Sequence, residues 1–300
     1  MEIKMKFVVT GGRGFIGSHF VEAVLERGDT VIDIDKMTYA ASKTLPWDKH
    51  PNYELVEQDI SKLEHLPPCD ILVNFAAESH VDNSIRDTDP FIQSNIMGVH
   101  NLLELVRGKQ NHDRPLFFHI STDEVYGDKL EGSFTEEDKL SPSNPYSATK
   151  ASAEMLIFSY ARTYGLNYII SRSANNYGPR QYEEKLIPKC IDSILRNKKI
   201  PIHGDGSYIR DWTYVKDNVQ GLLAIIDAGV KNEVFNVAAE NHMTNLQVVD
   251  EILYWHGKDR QSIEFVENRW GQDLRYSISS DKLRKLGWTP AYKSGIYKWL

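Results

Sequence analysis

Cysteine is nearly absent: Cys69 and Cys190 are the only two among 300 residues. Two thiols this far apart build neither a disulfide framework nor the spaced ligand pairs of a metal centre. No metal is therefore expected, and the expected compartment is the reducing cytoplasm. No apolar run approaches the ~20 residues that a bilayer-spanning helix requires. The opening Met1-Glu2-Ile3-Lys4 leads straight into an apolar strand pattern where a secretory leader would stand. Runs of Lys and Arg are missing too: 35 of them face 42 Asp and Glu, a net charge of −7. That balance argues against a nucleic-acid partner, whose phosphates are held by clustered cations. A local basic pocket for a small anion is all the charge leaves room for. Repeats, low-complexity tracts and flexible linkers are absent as well. What remains is a chain with 41% hydrophobic and 26% charged residues, ordinary for a globular protein of one large or two modest domains.

The first half alternates short apolar runs with amphipathic stretches. Strands are expected at Lys6–Val9, Thr30–Ile34, Tyr53–Val56, Ile71–Phe75, Leu116–Ile120 and Asn167–Ile170, with helices at Phe15–Glu26, Pro90–Val106 and Pro145–Tyr164. Unbroken Val/Ile/Leu/Phe runs between helices predict an α/β fold with a doubly wound parallel sheet, buried on both faces. After about Ser171 the rhythm breaks into Asn-, Pro- and Gly-rich chain around one helix near Lys185–Leu195. Thr213–Ala228 and Val234–Val237 then read as one more helix and strand of the sheet. The expected division is a dinucleotide-binding domain of residues 1–172 and 212–238, and a smaller mixed substrate-binding domain of residues 173–211 and 239–300. The chain's end, towards Leu300, reads as the start of a final helix.

Lys6–Val9 runs into Thr10-Gly11-Gly12-Arg13-Gly14-Phe15-Ile16-Gly17, with the spacing Gly11-x-x-Gly14-x-x-Gly17. Glycines serve where backbone must turn tightly and approach a pyrophosphate, and the helix that follows points free N–H groups at the anion. The second strand ends in Asp33-Ile34-Asp35, and Asp35 lies eighteen residues past Gly17. A carboxylate there accepts hydrogen bonds from an adenosine ribose and repels a 2′-phosphate. This favours NAD as the cofactor; Arg13 and Lys36 are cations that would suit a 2′-phosphate and keep NADP open.

Asn144 and Pro145 form an N-cap and first helical position, which puts Tyr146 in the first turn and Lys150 one turn on, on the same face. A tyrosine that works as a base near neutral pH needs its phenolate favoured by roughly 4 kcal/mol. The helix dipole and a neighbouring ammonium are the expected sources. Ser121-Thr122-Asp123-Glu124-Val125-Tyr126-Gly127 follows the buried run Leu116–Ile120, at the strand end where ligands bind in open α/β sheets. Two carboxylates in different environments can divide acid and base roles.

Together these motifs resemble the extended short-chain dehydrogenase/reductase family, and within it the nucleotide-sugar 4,6-dehydratases. Gly11 to Ser18 is similar to the family's cofactor loop, which adds Phe15 and Ile16 to the cofactor contacts. Asp35-Lys36-Met37-Thr38 resembles its ribose-binding turn and Asp59-Ile60 its adenine contact. Ala76-Ala77-Glu78-Ser79-His80 is similar to the segment lining cofactor (Ala76, Ala77) and sugar (Ser79, His80). Ser121 to Gly127 and Pro145 to Lys150 match the catalytic motifs, with Ser121 beside the cofactor. The nucleotide-diphosphate pocket of the family implies substrate contacts for Asn175, Lys185, Leu186, His203, Arg210, Asn245 and Arg275.

The implied reaction is NAD-dependent 4,6-dehydration of a nucleotide-diphosphate sugar, with dTDP-glucose first and a UDP-sugar as alternative. Tyr146 takes the C4 hydroxyl proton as hydride passes to NAD, Lys150 holds the nicotinamide ribose and lowers the tyrosine pKa, and Thr122 hydrogen-bonds at C4. Glu124 removes the C5 proton, a protonated Asp123 releases the C6 hydroxyl as water, and the hydride returns to C6. The Asp123-Glu124 pair discriminates, since related epimerases usually lack it and related decarboxylases keep only the glutamate. A UDP-sugar 4-epimerase or decarboxylase is the rival within the fold, and a non-catalytic NAD-binding scaffold the rival from another class. The family's usual Arg-Pro-Gly-His-Asp-Arg-Arg-Tyr-like run is here Arg269-Trp270-Gly271-Gln272-Asp273-Leu274-Arg275-Tyr276, and His203 stands where the dTDP-glucose members often have Tyr. Both departures face the nucleotide and bear on its base. The resemblance also implies a homodimer paired through Pro90–Val106 and Pro145–Tyr164.

Overall fold

The computed structural model describes residues 4–268 and 271–297. Its strands are β1 (Lys6–Thr10), β2 (Thr30–Asp35), β3 (Tyr53–Glu57), β4 (Ile71–Asn74), β5 (Leu116–Thr122), β6 (Tyr168–Ser173), β7 (Asn175–Tyr177), β8 (Ile200–His203), β9 (Ile209–Tyr214), β10 (Glu233–Val237), β11 (His242–Thr244) and β12 (Ile263–Val266). Seven of them form one sheet in the order β10-β6-β5-β4-β1-β2-β3. Every pairing in it is parallel. The chain winds outward from β1 to β3, returns beside β1 as β4, and winds the other way. A crevice therefore opens at the carboxyl ends of β1 and β4, where the winding reverses.

Both faces of the sheet are covered, as its apolar runs require. On one face, Phe20, Val21 and Val24 of the helix Phe15–Glu26 pack with Leu222 and Ile226 of the helix Val215–Asp227 over Phe7, Val9 and Val73. On the other, Leu102, Leu103 and Val106 of Gly98–Arg107 and Ile157 of Pro145–Tyr164 cover Val8, Leu72 and Phe117. A separate core gathers Tyr177, Ile187, Cys190, Ile202, Trp212, Val248 and Ile252. It lies around the small sheets β11-β9-β7 and β12-β8. Both cysteines are free thiols. No helix of the described residues is long and apolar enough to cross a membrane.

Three expectations need correction. The continuous helix Pro90–Val106 is broken: a turn at Asp89–Phe91 leads into a wide π-helical turn, Ile92–Met97, before the regular helix Gly98–Arg107. In the wide turn the Gly98 N–H reaches back to the Gln93 carbonyl, and the inserted residue turns Asn95 inward. There its amide donates to Thr149 Oγ1 at 2.9 Å and to the Glu78 carbonyl at 3.0 Å. The amphipathic stretch from Thr213 begins as the end of β9, and its helix starts at Val215. No helix follows Asp281–Arg284 among the described residues; Lys298–Leu300, like Arg269 and Trp270 of the altered motif, lie outside them.

The helix Pro145–Tyr164 bears Tyr146 and Lys150, and both its ends are set by sequence. Asn144 accepts the Ser147 N–H at 2.9 Å and Ser147 returns the bond, a reciprocal cap. Gly165, at φ +69°, closes the other end. Midway along, Glu154 is fully buried and accepts from Arg172 Nη2 at 2.7 Å and Nε at 3.1 Å, and from Ser121 Oγ at 2.6 Å. Arg172→Met would strand that carboxylate in the core and cost about 3–5 kcal/mol. The urea unfolding midpoint measures it, and an unshifted midpoint would show that the pair does not clamp the helix to the sheet.

Candidate active site

The crevice between β1 and β4 is a cavity of about 250 Å³. Its floor needs bare backbone. A Cβ on Gly11, which sits at φ +74°, would stand 2.6 Å from the Ala76 nitrogen, and one on Gly17 would stand 2.3 Å from the Gly11 carbonyl oxygen. Gly14 is the N-cap residue of Phe15–Glu26 and has no side chain to satisfy the helix start. The free N–H groups of that first turn therefore face the cavity, suited to an anion.

The acidic end of β2 holds this loop in place. Asp33 accepts the Gly12 N–H at 2.9 Å and the Tyr53 hydroxyl at 2.8 Å. Asp35 accepts the N–H groups of Arg13 and Met37 at 3.1 and 2.8 Å and still lines the cavity. The two cations that kept a 2′-phosphate open both have protein partners, although Lys36 also lines the cavity. Arg13 is buried and gives its guanidinium to Asp48, to the carbonyls of Ser42 and Lys43, and to the Tyr53 hydroxyl. Lys36 donates to Ser94 Oγ at 2.9 Å and Glu78 at 3.2 Å. The glycine cradle, the helix start and Asp35 thus fit an adenine dinucleotide with a free 2′-hydroxyl.

All the residues assigned above to the cofactor line this cavity: the glycine loop with Phe15 and Ile16, Asp35, Lys36 and Thr38, Asp59 and Ile60, Ala76 and Ala77, and Ser121, Tyr146 and Lys150. Ser79 and Lys185, assigned to the sugar nucleotide, join them, with Lys185 Nζ donating to the Ser79 carbonyl at 3.0 Å. The other substrate assignments lie outside its walls. His80 caps the helix Val81–Arg86 through its ring nitrogen. Asn175 buries an unpartnered Oδ1, and Leu186 and Asn245 open helices. His203 meets the Glu267 carbonyl at 3.0 Å, and Arg210 donates to the carbonyls of Ile209 and Asp273 beneath the Tyr276 ring. Arg275 donates to the carbonyls of Lys129 and Gly132, which engages it with the loop after the catalytic turn.

Thr122, Asp123 and Glu124 stand where β5 ends, on a single turn of 3-10 helix, Asp123–Tyr126. Asp123 is 3% exposed and its Oδ2 has no partner. Burial, then the neighbouring Glu124 and Asp211, holds its carboxyl well above the usual range, which favours the protonated form. Glu124 is only half-buried; its Oε2 accepts from Asn144 Nδ2 at 3.2 Å and the Tyr276 hydroxyl at 3.5 Å. One turn therefore carries a proton donor and a carboxylate acceptor.

Tyr146 and Lys150 do not meet as expected. Lys150 Nζ points into the sheet, donating to the Ile120 carbonyl at 2.7 Å and lying 3.2 Å from His119 Nε2. Burial lowers its pKa to about 8. Burial, with Glu124 nearby, pushes the Tyr146 phenol up rather than down, opposed by a hydrogen bond to Thr122. Proximity along one helix face did not bring the ammonium to the phenol, because buried acceptors on β5 claim it first.

Several site residues carry no motif. Ser84 Oγ accepts the Tyr146 N–H at 3.2 Å, and Tyr276 and Asn144 hold Glu124. His119 offered one signal, a titratable ring inside the apolar run Leu116–Ile120. Asp211 is buried with an unpartnered Oδ2.

Burial raises Asp33 and Asp211 to about 7 each. Each binds a proton in the folded chain where the unfolded chain has lost it, so stability is greatest below the unfolded value near 4 and falls as pH rises towards 7. The thermal midpoint should drop by a few degrees between pH 5 and 8. Asp33→Asn should flatten that slope, and an unchanged slope in the variant would contradict the assignment.

Comparisons with known proteins follow this geometry closely. The family model described as GDP-mannose 4,6 dehydratase matches residues 8–295. The low-salt glycan biosynthesis protein Agl12 of Haloferax volcanii is 44% identical, over 96% of this chain and 94% of its own. The dTDP-glucose 4,6-dehydratase of Salmonella typhimurium is 40% identical, over 98% and 91%. The crystal structure of DesIV, a dTDP-glucose 4,6-dehydratase from Streptomyces venezuelae with NAD and TYD bound, superposes with a TM-score of 0.90 at 37% identity, covering 96% of this chain and 92% of that one. UDP-glucuronic acid 4-epimerase from Bacillus cereus, in complex with UDP-glucuronic acid and NAD, superposes at 0.89 with 28% identity, covering 96% and 95%. The chain belongs to the GDP-mannose 4,6 dehydratase family, within the extended short-chain dehydrogenases/reductases.

Proposed function

We propose that this chain is an NAD-dependent dTDP-glucose 4,6-dehydratase, a nucleotide-sugar dehydratase whose sugar leaves as its 4-keto-6-deoxy form. The observation that carries the reading is Asp123, buried with an unpartnered Oδ2, beside the half-buried Glu124, on one turn with Tyr146 nearby. Overall likeness does not discriminate, because an epimerase superposes about as well as a dehydratase. An epimerase has no water to expel and no use for a carboxylic acid next to a carboxylate.

The glycine cradle, Asp35 and the engagement of Arg13 and Lys36 favour NAD over NADP. Bound NAD supplies reversible hydride acceptance and, when oxidised, a positive ring that offsets the unfavourable surroundings of a Tyr146 phenolate. The remaining work is proton transfer by the chain. Tyr146 takes the C4 hydroxyl proton while Thr122, its hydrogen-bond partner, steadies the oxygen. The C4 ketone acidifies C5–H, and Glu124 receives that proton. Asp123 gives its proton to the C6 hydroxyl, and the C6–O bond breaks with loss of water. The elimination thus needs one of the two carboxyls protonated at the outset, and the 4-keto-6-deoxy product would be completed when the hydride taken from C4 is restored to C6 and Glu124 returns a proton to C5.

The sugar nucleotide is assigned to Ser79, His80, Asn175, Lys185, Leu186, His203, Arg210, Asn245 and Arg275, on the region of residues 173–211 and 239–300 together with the β4 loop. A homodimer is part of the reading: Ile92, Met97 and Met155 are exposed apolar residues on the helices expected to pair. Sedimentation velocity should give twice the 34.4 kDa chain mass, and a monomer at micromolar concentration would remove this part.

Incubation with dTDP-glucose in deuterium oxide should yield a 4-keto-6-deoxy product with deuterium at C5. Failure with dTDP-glucose and turnover of UDP-glucose would move the base assignment while keeping the reaction. Glu124→Gln should still form enzyme-bound NADH but lose dehydration by 10²-fold or more. Normal turnover in that variant would remove Glu124 as the base.

A further inference from the structure

Lys150 sits at the end of a line of buried polar groups that no motif announces. Thr10 Oγ1 donates to Asn74 Oδ1 at 2.5 Å, Asn74 Nδ2 lies 3.0 Å from His119 Nδ1, and His119 Nε2 lies 3.2 Å from Lys150 Nζ. Thr10, Asn74 and His119 are fully buried, and Lys150 is 3% exposed. The line crosses three neighbouring strands, β1, β4 and β5, just beneath the cavity floor. With the Asn74 amide nitrogen facing Nδ1, every hydrogen in the line points towards Lys150; with the carboxamide turned over, every one points away from it. The Asn74 amide N–H occupies the Nδ1 lone pair, so the ring carries its hydrogen on Nε2. An ammonium has no lone pair to accept it; an amine has one. The amine keeps its other hydrogens for the Ile120 carbonyl and for the cavity.

We propose that His119, oriented by Asn74 and Thr10, is a positioning residue that sets the charge state of Lys150. This deepens the dehydratase reading and rests on it only for the kinetic test. As drawn, the chain stabilises the amine. Protonation of Lys150 requires the opposite sense: Nε2 accepts from the ammonium, Nδ1–H donates to the Asn74 carbonyl, and the Asn74 carboxamide turns over so that its amide faces Thr10 Oγ1. In this reversal the Nε2 proton passes to the amine, which becomes the ammonium, and Nδ1 takes up one proton from water, so the net uptake is one proton. The charged and titratable groups around Lys150 are Glu154, which opposes loss of its charge, and His119, with Tyr146 one turn before it on the same helix. Desolvation brings the lysine to about 8, within reach of such a switch.

The direct test needs no substrate. Long-range proton–nitrogen spectra of the imidazoles, with His119 assigned by its loss in His119→Gln, should show the Nε2–H form above pH 8 and conversion to the Nδ1–H form below it. One unchanging tautomer from pH 6 to 10 overturns the proposal. The kinetic test follows NADH formation on the enzyme with dTDP-glucose. A glutamine at 119 can turn its carbonyl to the ammonium, and Asn74→Leu frees the ring to change tautomer. Both should move the alkaline limb to higher pH by roughly half a unit, about threefold in the ionisation equilibrium. If both variants fold and keep the wild-type limb, the proposal falls. If the wild type forms no NADH with any nucleotide sugar, the dehydratase reading fails, and the spectra still decide the role of His119.

Discussion

The buried carboxylate of Glu154 is the tie on which the reacting groups depend. It joins the helix Pro145–Tyr164 to β5 through Ser121 and to β6 through Arg172. Arg172 continues to the Tyr126 hydroxyl at 2.6 Å, and Tyr126 to Asn236 on β10 at 2.8 Å. Tyr126 ends the turn that bears Asp123 and Glu124. One charge pair inside a low-dielectric core therefore sets the distance between the helix with Tyr146 and the turn with the two carboxyls. Buried pairs contribute little net stability against an apolar alternative, yet they hold geometry because neither partner can move without stranding the other. An enzyme that asks several proton transfers of one bound sugar has most to gain from that kind of rigidity.

The same edge of the sheet collects everything else. Reversal of winding between β1 and β4 leaves a crevice, and only glycine at positions 11 and 17 lets the loop close against Ala76 and itself. Asp33 and Asp35 hold that loop from β2, and Arg13 locks the loop outward to Asp48. The carboxyl ends of the adjoining strands then deliver the β4 loop and Ser121, which directly precedes the turn with the two carboxyls, to the same cavity. The fold makes the opening; the polar contacts decide which groups face into it with a proton and which without.

Much of this was legible in advance. Apolar runs predict the parallel strands, the glycine spacing marks the loop, and Asn144-Pro145 marks the start of the helix that bears Tyr146. Other features were not. The wide turn at Ile92–Met97 has no local signature, because its reason is the partners that Asn95 finds on Glu78 and Thr149. Arg13 and Lys36 read as free cations and are consumed by neighbours distant in sequence. Arg275, a substrate contact by resemblance, also donates to the loop at Lys129–Gly132, which its sequence position does not reveal.

Local chemistry along the chain was enough to specify the layered fold and the cofactor loop, since each is written in residue type and short spacing; the acid, base and tyrosine are named by resemblance to the dehydratases. Their protonation was not written there. A carboxyl, a phenol or an amine takes its charge from what surrounds it within a few ångströms, and those neighbours arrive from other strands. Burial, with Glu124 and Asp211 beside it, favours the protonated form of Asp123. Lys150 turns to His119 and Ile120 because β5 brings acceptors nearer than Tyr146 does.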